Sequence, residues 1–254
     1  MSGICWLASY PKSGNTWLRA LLTNYRRDSD EPASINELEG GWTASLRETF
    51  DECAGIESAD LTQKQIEHYR PWVYERLAAD SVDGLFLKIH DAYTYNADAR
   101  PIFSNQATAG AIYLIRNPLD VAVSYAHHRD ELVDKTIRAM SRNDAMLAGS
   151  DKPGGQLPQQ LLSWSGHVCS WVDEPGLNVH VVRYEDMARQ PVEAFTGIVP
   201  LPGLSWILVE SRKPLSFPVS SGFSCRKLYM GLPKNSRRLY PFSARGAWVP
   251  GASV

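Results

Sequence analysis

The 254-residue sequence has no Cys-x-x-Cys pair, and its four cysteines, Cys5, Cys53, Cys169 and Cys225, stand far apart. That spacing excludes a disulfide-dense scaffold and a zinc ribbon, so the four read as reduced, buried core fillers. Long apolar runs are missing too: Gly3–Ser9 and Ala109–Ile115 fall far short of the ~20 residues a membrane helix needs. Met1–Ser9 carries no basic region ahead of its apolar stretch, so we expect a cytoplasmic protein with no targeting segment and no membrane partner. Acidic residues stop at Glu210. From Ser211 to Val254 there are eight Lys/Arg, five Pro and eight Ser, while all 28 Asp/Glu lie earlier. A basic tail on an acidic body suits an anionic ligand; with no basic, aromatic-interleaved stretch in the body, no nucleic-acid partner is expected.

What the sequence does have is a globular composition, 44% hydrophobic, 21% charged and 10% aromatic. The length fits one large domain or one domain with an appendage. We expect an α/β domain over 1–200 and a basic tail over 201–254. Ile4–Ser9, Leu85–Ile89, Gly110–Ile115 and Asn178–Arg183 are short apolar strands. Helical spacing marks Thr16–Tyr25, Ile35–Glu39, Thr62–Ala79 with Trp72, Tyr74 and Leu77, and Gln156–Val172. Asn117-Pro118-Leu119-Asp120 combines an N-cap residue, Pro at the first helical position and acid in the first turn, announcing a helix to about Arg129. Apolar strands alternating with helices imply a central, mostly parallel sheet flanked by helices, with ligands at the carboxyl ends of the strands. Gly149–Gln156 reads as a flexible loop.

The first strand runs into Tyr10-Pro11-Lys12-Ser13-Gly14-Asn15-Thr16-Trp17. A Gly-containing turn between a parallel strand and a helix aims backbone N–H groups at one point, and the positive helix end adds to the attraction for an anion. Lys12 precedes Gly14, so the order is not that of a nucleoside-triphosphatase loop. At the end of the third strand, Arg116 has the fork that grips phosphate, and Ser124 lies two turns into the following helix. His90 ends the second strand. His127 and His128 fall on the helix after Ser124, at rim positions. No His, Cys or carboxylate set has metal-ligand spacing, so no metal site is expected.

The octapeptide resembles the 5′-phosphosulfate loop of sulfotransferases that use 3′-phosphoadenosine 5′-phosphosulfate, usually Tyr/Phe-Pro-Lys-Ser/Ala-Gly-Thr-Thr-Trp, and departs from it only at Asn15. Arg116-Asn117-Pro118-Leu119-Asp120 with Ser124 resembles the 3′-phosphate motif of the same family, Lys88-Ile89-His90 its Lys-Thr-His, and Val182–Met187 a further recurrent segment. The opening Gly3–Arg19 is similar to bacterial sulfotransferases that modify glycopeptide antibiotics.

The resemblance implies transfer of a sulfuryl group to a hydroxyl acceptor, small-molecule or glycopeptide, with adenosine 3′,5′-bisphosphate as the other product and no metal. It implies His90 as general base, Lys12 as the charge on the leaving group and Lys88 as a secondary charge. Lys12, Ser13, Gly14, Asn15, Thr16, Trp17, Arg116, Ser124 and Tyr184 would hold the nucleotide, with Arg238 and Arg245 from the tail. A homodimer is compatible with all of this. Several alternatives stand open at this level. Tyr93 and Tyr95 either line the acceptor pocket or are loop aromatics; Tyr184 either meets adenine or ends a strand. The tail is either a diverged cationic lid or a stretch read partly in another frame, and its lack of acid favours the second. A small-molecule kinase with Asp91 holding a cation, or an inactive nucleotide-binding relic, would share the loop.

Overall fold

The computed structural model describes residues 3–27, 33–38, 43–82, 84–148 and 155–198. These divide into two compact units, 3–15 with 43–198 and 16–27 with 33–38. The expected tail over 201–254, with Arg238, Arg245 and Cys225, lies outside the described residues, as does most of the Gly149–Gln156 loop.

The first unit is built on four parallel strands, β1 (Ile4–Ser9), β2 (Leu85–Ile89), β3 (Thr108–Ile115) and β6 (Val179–Arg183), in the order β2-β1-β3-β6. All four expected strands are present. β1 is central and wholly buried on both faces, which is why Ile4-Cys5-Trp6-Leu7-Ala8 is continuously apolar and does not alternate. Trp6 anchors one face, edge-on to Tyr74 and Phe103 with its indole N–H donating to Thr108 Oγ1 at 2.9 Å. Because the strands are parallel, their carboxyl ends and the loops that follow share one edge. The chain leaves β1 toward β2 on one side and β3 on the other, so the crevice opens beyond the ends of β1 and β3.

The helices include α1 (Asn15–Arg27), α2 (Arg47–Ala54), α3 (Gln63–Asp80), α4 (Pro118–Arg129), α5 (Val133–Met140), α6 (Trp164–Val172), α7 (Tyr184–Arg189) and α8 (Pro191–Thr196). α4 starts as expected, with the Asn117 side chain accepting from Leu119 N–H at 3.0 Å and Pro118 in the first turn. α3 is capped by Thr62 and Gln65, which exchange bonds in a capping box. It runs through Pro71; the carbonyl of Glu67, which Pro71 leaves without a helical donor, accepts from Asn96 Nδ2 at 3.5 Å. Trp72 is exposed beside Arg76, while Tyr74 is buried. Ile35–Glu37 forms one 3₁₀ turn rather than a longer helix.

The helix expected over Gln156–Val172 is shorter. Gln159–Gln160 (β5) pairs antiparallel with Met146–Leu147 (β4), Leu162 adopts a left-handed φ of 59°, and Ser163 caps α6 through Gly166 N–H at 3.1 Å. Pro158 and Ser163 break the apolar period there. Of the three described cysteines only Cys5 is buried; Cys53 is half-buried and Cys169 exposed, which corrects the expectation that all are core fillers. In the second unit, Arg19 Nη2 donates to the Leu38 carbonyl at 3.4 Å, and Arg27 meets Glu37 at 3.2 Å on the surface.

Behind the strand ends lies a buried ion pair. Arg70 Nη1 meets Asp91 Oδ1 at 2.7 Å, and both side chains are almost wholly buried. The rest of the guanidinium donates to Tyr74 Oη at 2.9 and 3.0 Å, and that hydroxyl donates to the Ala44 carbonyl at 3.0 Å. Burial pushes the Asp91 carboxyl up while Arg70 opposes it. Removing one partner leaves a buried charge without its counter-ion, so Arg70→Met lowers the unfolding free energy by about 3–5 kcal/mol. Arg70→Met with Asp91→Leu recovers most of that loss. Urea unfolding of the two variants checks both figures.

Candidate functional site

The loop after β1 turns sharply. Ser13 N–H returns to the Tyr10 carbonyl at 3.3 Å, and Lys12 and Gly14 have left-handed φ of 69° and 100°. Alternation of this kind turns successive N–H groups toward one point and forms an anion-binding concavity. Gly14 is required twice over, for its φ and because a Cβ there would sit 2.6 Å from Tyr184 Cδ2. Ser13 is buried, and its Oγ has no hydrogen-bond partner among the described residues. A buried hydroxyl of that kind at a loop of converging amides fits a phosphate guest.

Arg116, at the end of β3, is 6% exposed. Its Nη1 donates to the Lys12 carbonyl at 2.9 Å, and its guanidinium carbon lies 4.3 Å from the centre of the Tyr184 ring. Tyr184, the first residue of α7, thus sits between Gly14 and Arg116. The next residue, Glu185, accepts from Asn117 N–H at 2.8 Å and ties the end of β6 to the start of α4. Ser124 is 8% exposed on the buried face of α4 that also carries Val121 and Tyr125. Thr16 is exposed and Trp17 half-buried in the first turn of α1, within the second unit. The Asn15 side chain does not face the loop's concavity: buried, it turns back to β1, so only its backbone N–H is aimed as the loop expectation required.

His90 follows the end of β2, its ring against the end of β1. Nδ1 lies 2.7 Å from the Ser9 carbonyl and 3.4 Å from Ser9 Oγ. A carbonyl only accepts, so this contact assigns the proton to Nδ1 and leaves the lone pair on Nε2. Burial, then the positive charge of Lys88 and more weakly that of Lys12, holds the ring down at about 3. His90 is therefore neutral at pH 7. His128, exposed on α4 as expected, is lowered by burial and then by Lys12 and Lys88.

The backbone of His90 and its neighbours is fixed from α6, by residues that the sequence analysis did not single out. Buried His167 meets the His90 carbonyl through Nε2 at 3.0 Å and Tyr113 Oη through Nδ1 at 2.8 Å. Trp171 donates to the Asp91 carbonyl at 2.9 Å, and Ser170 Oγ accepts from Tyr93 N–H at 3.0 Å. His167 and Trp171 are four residues apart, so the helical period that marked Trp171 as apolar places His167 on the same face. Tyr93 is buried in the aromatic core against Phe103 and Trp171, while Tyr95 is exposed and bonds Glu174. Asp91 faces Arg70, a pair without net charge, which is unsuited to the cation-holding role of the kinase reading. Among the described residues no cluster of three His, Cys, Asp or Glu side chains could hold a metal ion, and no helix is long and apolar enough to cross a membrane.

The structure thus defines an α/β protein whose strand ends bear a sharply turned glycine-containing loop, a buried arginine and a neutral histidine. Its sequence matches the sulfotransferase domain family over residues 4–240, and the chain belongs to that family. Luciferin sulfotransferase of Photinus pyralis is 30% identical over 191 residues, covering 72% of this chain and 46% of that protein. Flavonol 3-sulfotransferase of Flaveria bidentis is 25% identical over 194 residues, covering 73% and 52%. The chain spans about half the length of these curated relatives. Among solved structures, mouse sulfotransferase SULT7A1 complexed with PAP is similar with a TM-score of 0.46 and 23% identity, over 81% of this chain and 58% of that one.

The two buried histidines make stability depend on pH. Folding holds His90 at about 3 and His167 at about 4, both through burial, whereas the unfolded rings titrate near 6.5. Protonation therefore favours the unfolded chain. The stability from keeping the rings neutral is complete above about pH 7 and lost progressively as pH falls from about 6.5 toward 4. The His167 contribution has a slope of about 1.4 kcal/mol per pH unit. Unfolding curves between pH 7.5 and 4.5 will show a shallower acid loss for His167→Gln than for the unsubstituted protein.

Proposed function

We propose that this protein transfers a sulfuryl group from 3′-phosphoadenosine 5′-phosphosulfate to a hydroxyl acceptor. The observation that carries the reading is the strained Lys12 loop at the end of β1 beside a neutral His90 whose Nδ1 is held on the Ser9 carbonyl, leaving the lone pair on Nε2. Membership of the sulfotransferase domain family supports it, as do the two motifs in family order.

The donor, when bound, supplies a sulfuryl group on a good phosphate leaving group. Ser13 and the backbone N–H groups of Ser13–Trp17 would hold its 5′-phosphate, with the Thr16 hydroxyl. Lys12 offsets negative charge on the departing phosphate, as a fixed cation aimed at developing charge does. Lys88 adds a second positive charge near the reacting group. His90 Nε2 removes the acceptor's hydroxyl proton, while Nδ1 stays on the Ser9 carbonyl and orients the ring. An anion beside Lys12 and Lys88 offsets the charge part of what lowers His90, though not the larger part that burial causes, so the ring's proton affinity rises when donor occupies the loop. Arg116 and Ser124 would take the 3′-phosphate and Tyr184 the adenine.

The acceptor reading is a phenolic or other hydroxyl compound, in line with the names of the curated relatives. The glycopeptide-like opening adds glycopeptide aglycones to that class. A radiolabelled sulfuryl-transfer screen over phenols, sugars, peptides and glycopeptide aglycones tests it. His90→Ala lowers kcat about 10²–10⁴-fold and hardly changes adenosine 3′,5′-bisphosphate affinity, whereas Lys12→Ala lowers kcat about 10²–10³-fold and weakens that affinity. Near-normal transfer by His90→Ala removes it from the mechanism.

Arg116 is given two tasks here, gripping the Lys12 carbonyl and meeting the 3′-phosphate. Arg116→Ala weakens 3′-phosphorylated nucleotide by about 2–5 kcal/mol, and adenosine 5′-phosphosulfate, which lacks that phosphate, by clearly less. Calorimetry with the two nucleotides separates the tasks. Equal losses assign Arg116 to the loop alone.

A further inference from the structure

We propose that Ser9 and Asn15 are positioning residues that lock the His90 ring in its Nδ1-protonated tautomer and couple it to the phosphosulfate loop. The proposal rests on the reading of His90 as the base. It starts from the one position where the octapeptide departs from the usual loop. Asn15 is 4% exposed, and its Nδ2 donates to the Leu7 carbonyl at 2.7 Å and to Ser9 Oγ at 3.2 Å. The Leu7 carbonyl accepts only, so the amide must present its NH₂ group to β1, and both hydrogens are engaged. A threonine hydroxyl has one hydrogen and cannot donate to both acceptors.

Those bonds fix the piece of backbone on which His90 rests. Ser9 ends β1, fully buried, and offers the ring both its carbonyl, at 2.7 Å from Nδ1, and its hydroxyl, at 3.4 Å. Asn15 is also the first residue of α1 and the neighbour of Gly14. Displacement of the loop therefore pulls on the Asn15 amide, on Ser9 and through Ser9 on the imidazole. The amide is held at a cost: Asn15 Oδ1 is buried with no hydrogen-bond partner among the described residues. A leftover buried acceptor is unusual enough to need a reason, and bracing the base's support supplies one.

The test uses the full chain, with adenosine 3′,5′-bisphosphate as the binding probe and nitrogen NMR of the histidine rings as a readout independent of turnover. In the unsubstituted protein His90 shows a protonated Nδ1 and a bare Nε2. Asn15→Ala and Ser9→Ala shift that ring toward a mixture of tautomers and lower kcat about tenfold, with donor KM changed less than about twofold. Asn15→Thr, which keeps one donor, restores part of the kcat and guards against a folding loss in Asn15→Ala, which thermal melting reports. Unchanged His90 nitrogen signals in both alanine variants overturn the proposal, as does a rise in donor KM at unchanged kcat, which makes Asn15 a donor-binding residue instead. Failure of the base reading itself shows separately, as sulfuryl transfer surviving in His90→Ala.

Discussion

The hydrogen bond from His90 to the Ser9 carbonyl joins the ends of two neighbouring parallel strands, and the arrangement of the strand ends follows from it. At a strand's carboxyl end the backbone leaves the ladder, and its last carbonyl needs a donor from elsewhere. Here an imidazole supplies that donor. The bond satisfies the end of β1, selects the tautomer of the ring and leaves Nε2 as its one basic nitrogen. The His90 carbonyl is satisfied in turn by His167, and the Asp91 carbonyl by Trp171. The residues that close the backbone account at this edge are therefore the same ones that aim the functional ring.

Charge at the edge is divided by depth. Lys12 and Lys88 act at the strand ends, and burial first, then their positive charge, keeps His90 neutral. Deeper, Arg70 and Asp91 cancel each other inside the aromatic core. An uncompensated arginine so close behind the strand ends would deepen the depression of His90, while an uncompensated carboxylate would raise its proton affinity. Pairing them leaves Lys88 and Lys12 as the lysines that, after burial, hold the ring down, so an anion at the loop would raise its basicity.

Much of this was legible in the sequence where one local signal decided the outcome. The four apolar runs became β1, β2, β3 and β6, and Asn117-Pro118 opened α4, because a buried parallel strand and a capped helix start are each written in adjacent residues. The unexpected elements are short ones whose residues depend on distant partners. The α2 helix has no side-chain cap bond; β5 exists because it pairs with β4. His90 was visible through the likeness of Lys88-Ile89-His90 to a family motif, but Ser9 and His167, which hold it, were not, since only the fold brings residues 81 and 77 positions away to it. Asn15 was noticed as a departure from a loop pattern. Its inward turn toward β1 could not be read from that pattern, which records what faces the ligand.

Lys12 shows why the loop has its particular order. A non-glycine residue in the left-handed region costs roughly 1–2 kcal/mol, and such residues persist only where the surroundings hold them. The φ of 69° at Lys12 is held by Arg116, whose Nη1 grips the Lys12 carbonyl, and by Gly14, whose missing Cβ lets Tyr184 close against the loop. Moving the lysine beyond Gly14, as in a nucleoside-triphosphatase loop, would place its side chain in the helix that follows. In its present place it leaves the turn itself, on the side of Lys88 and His90. The strain at Lys12 therefore brings its positive charge within the field of His90, and Arg116 and Tyr184 hold the loop in that form.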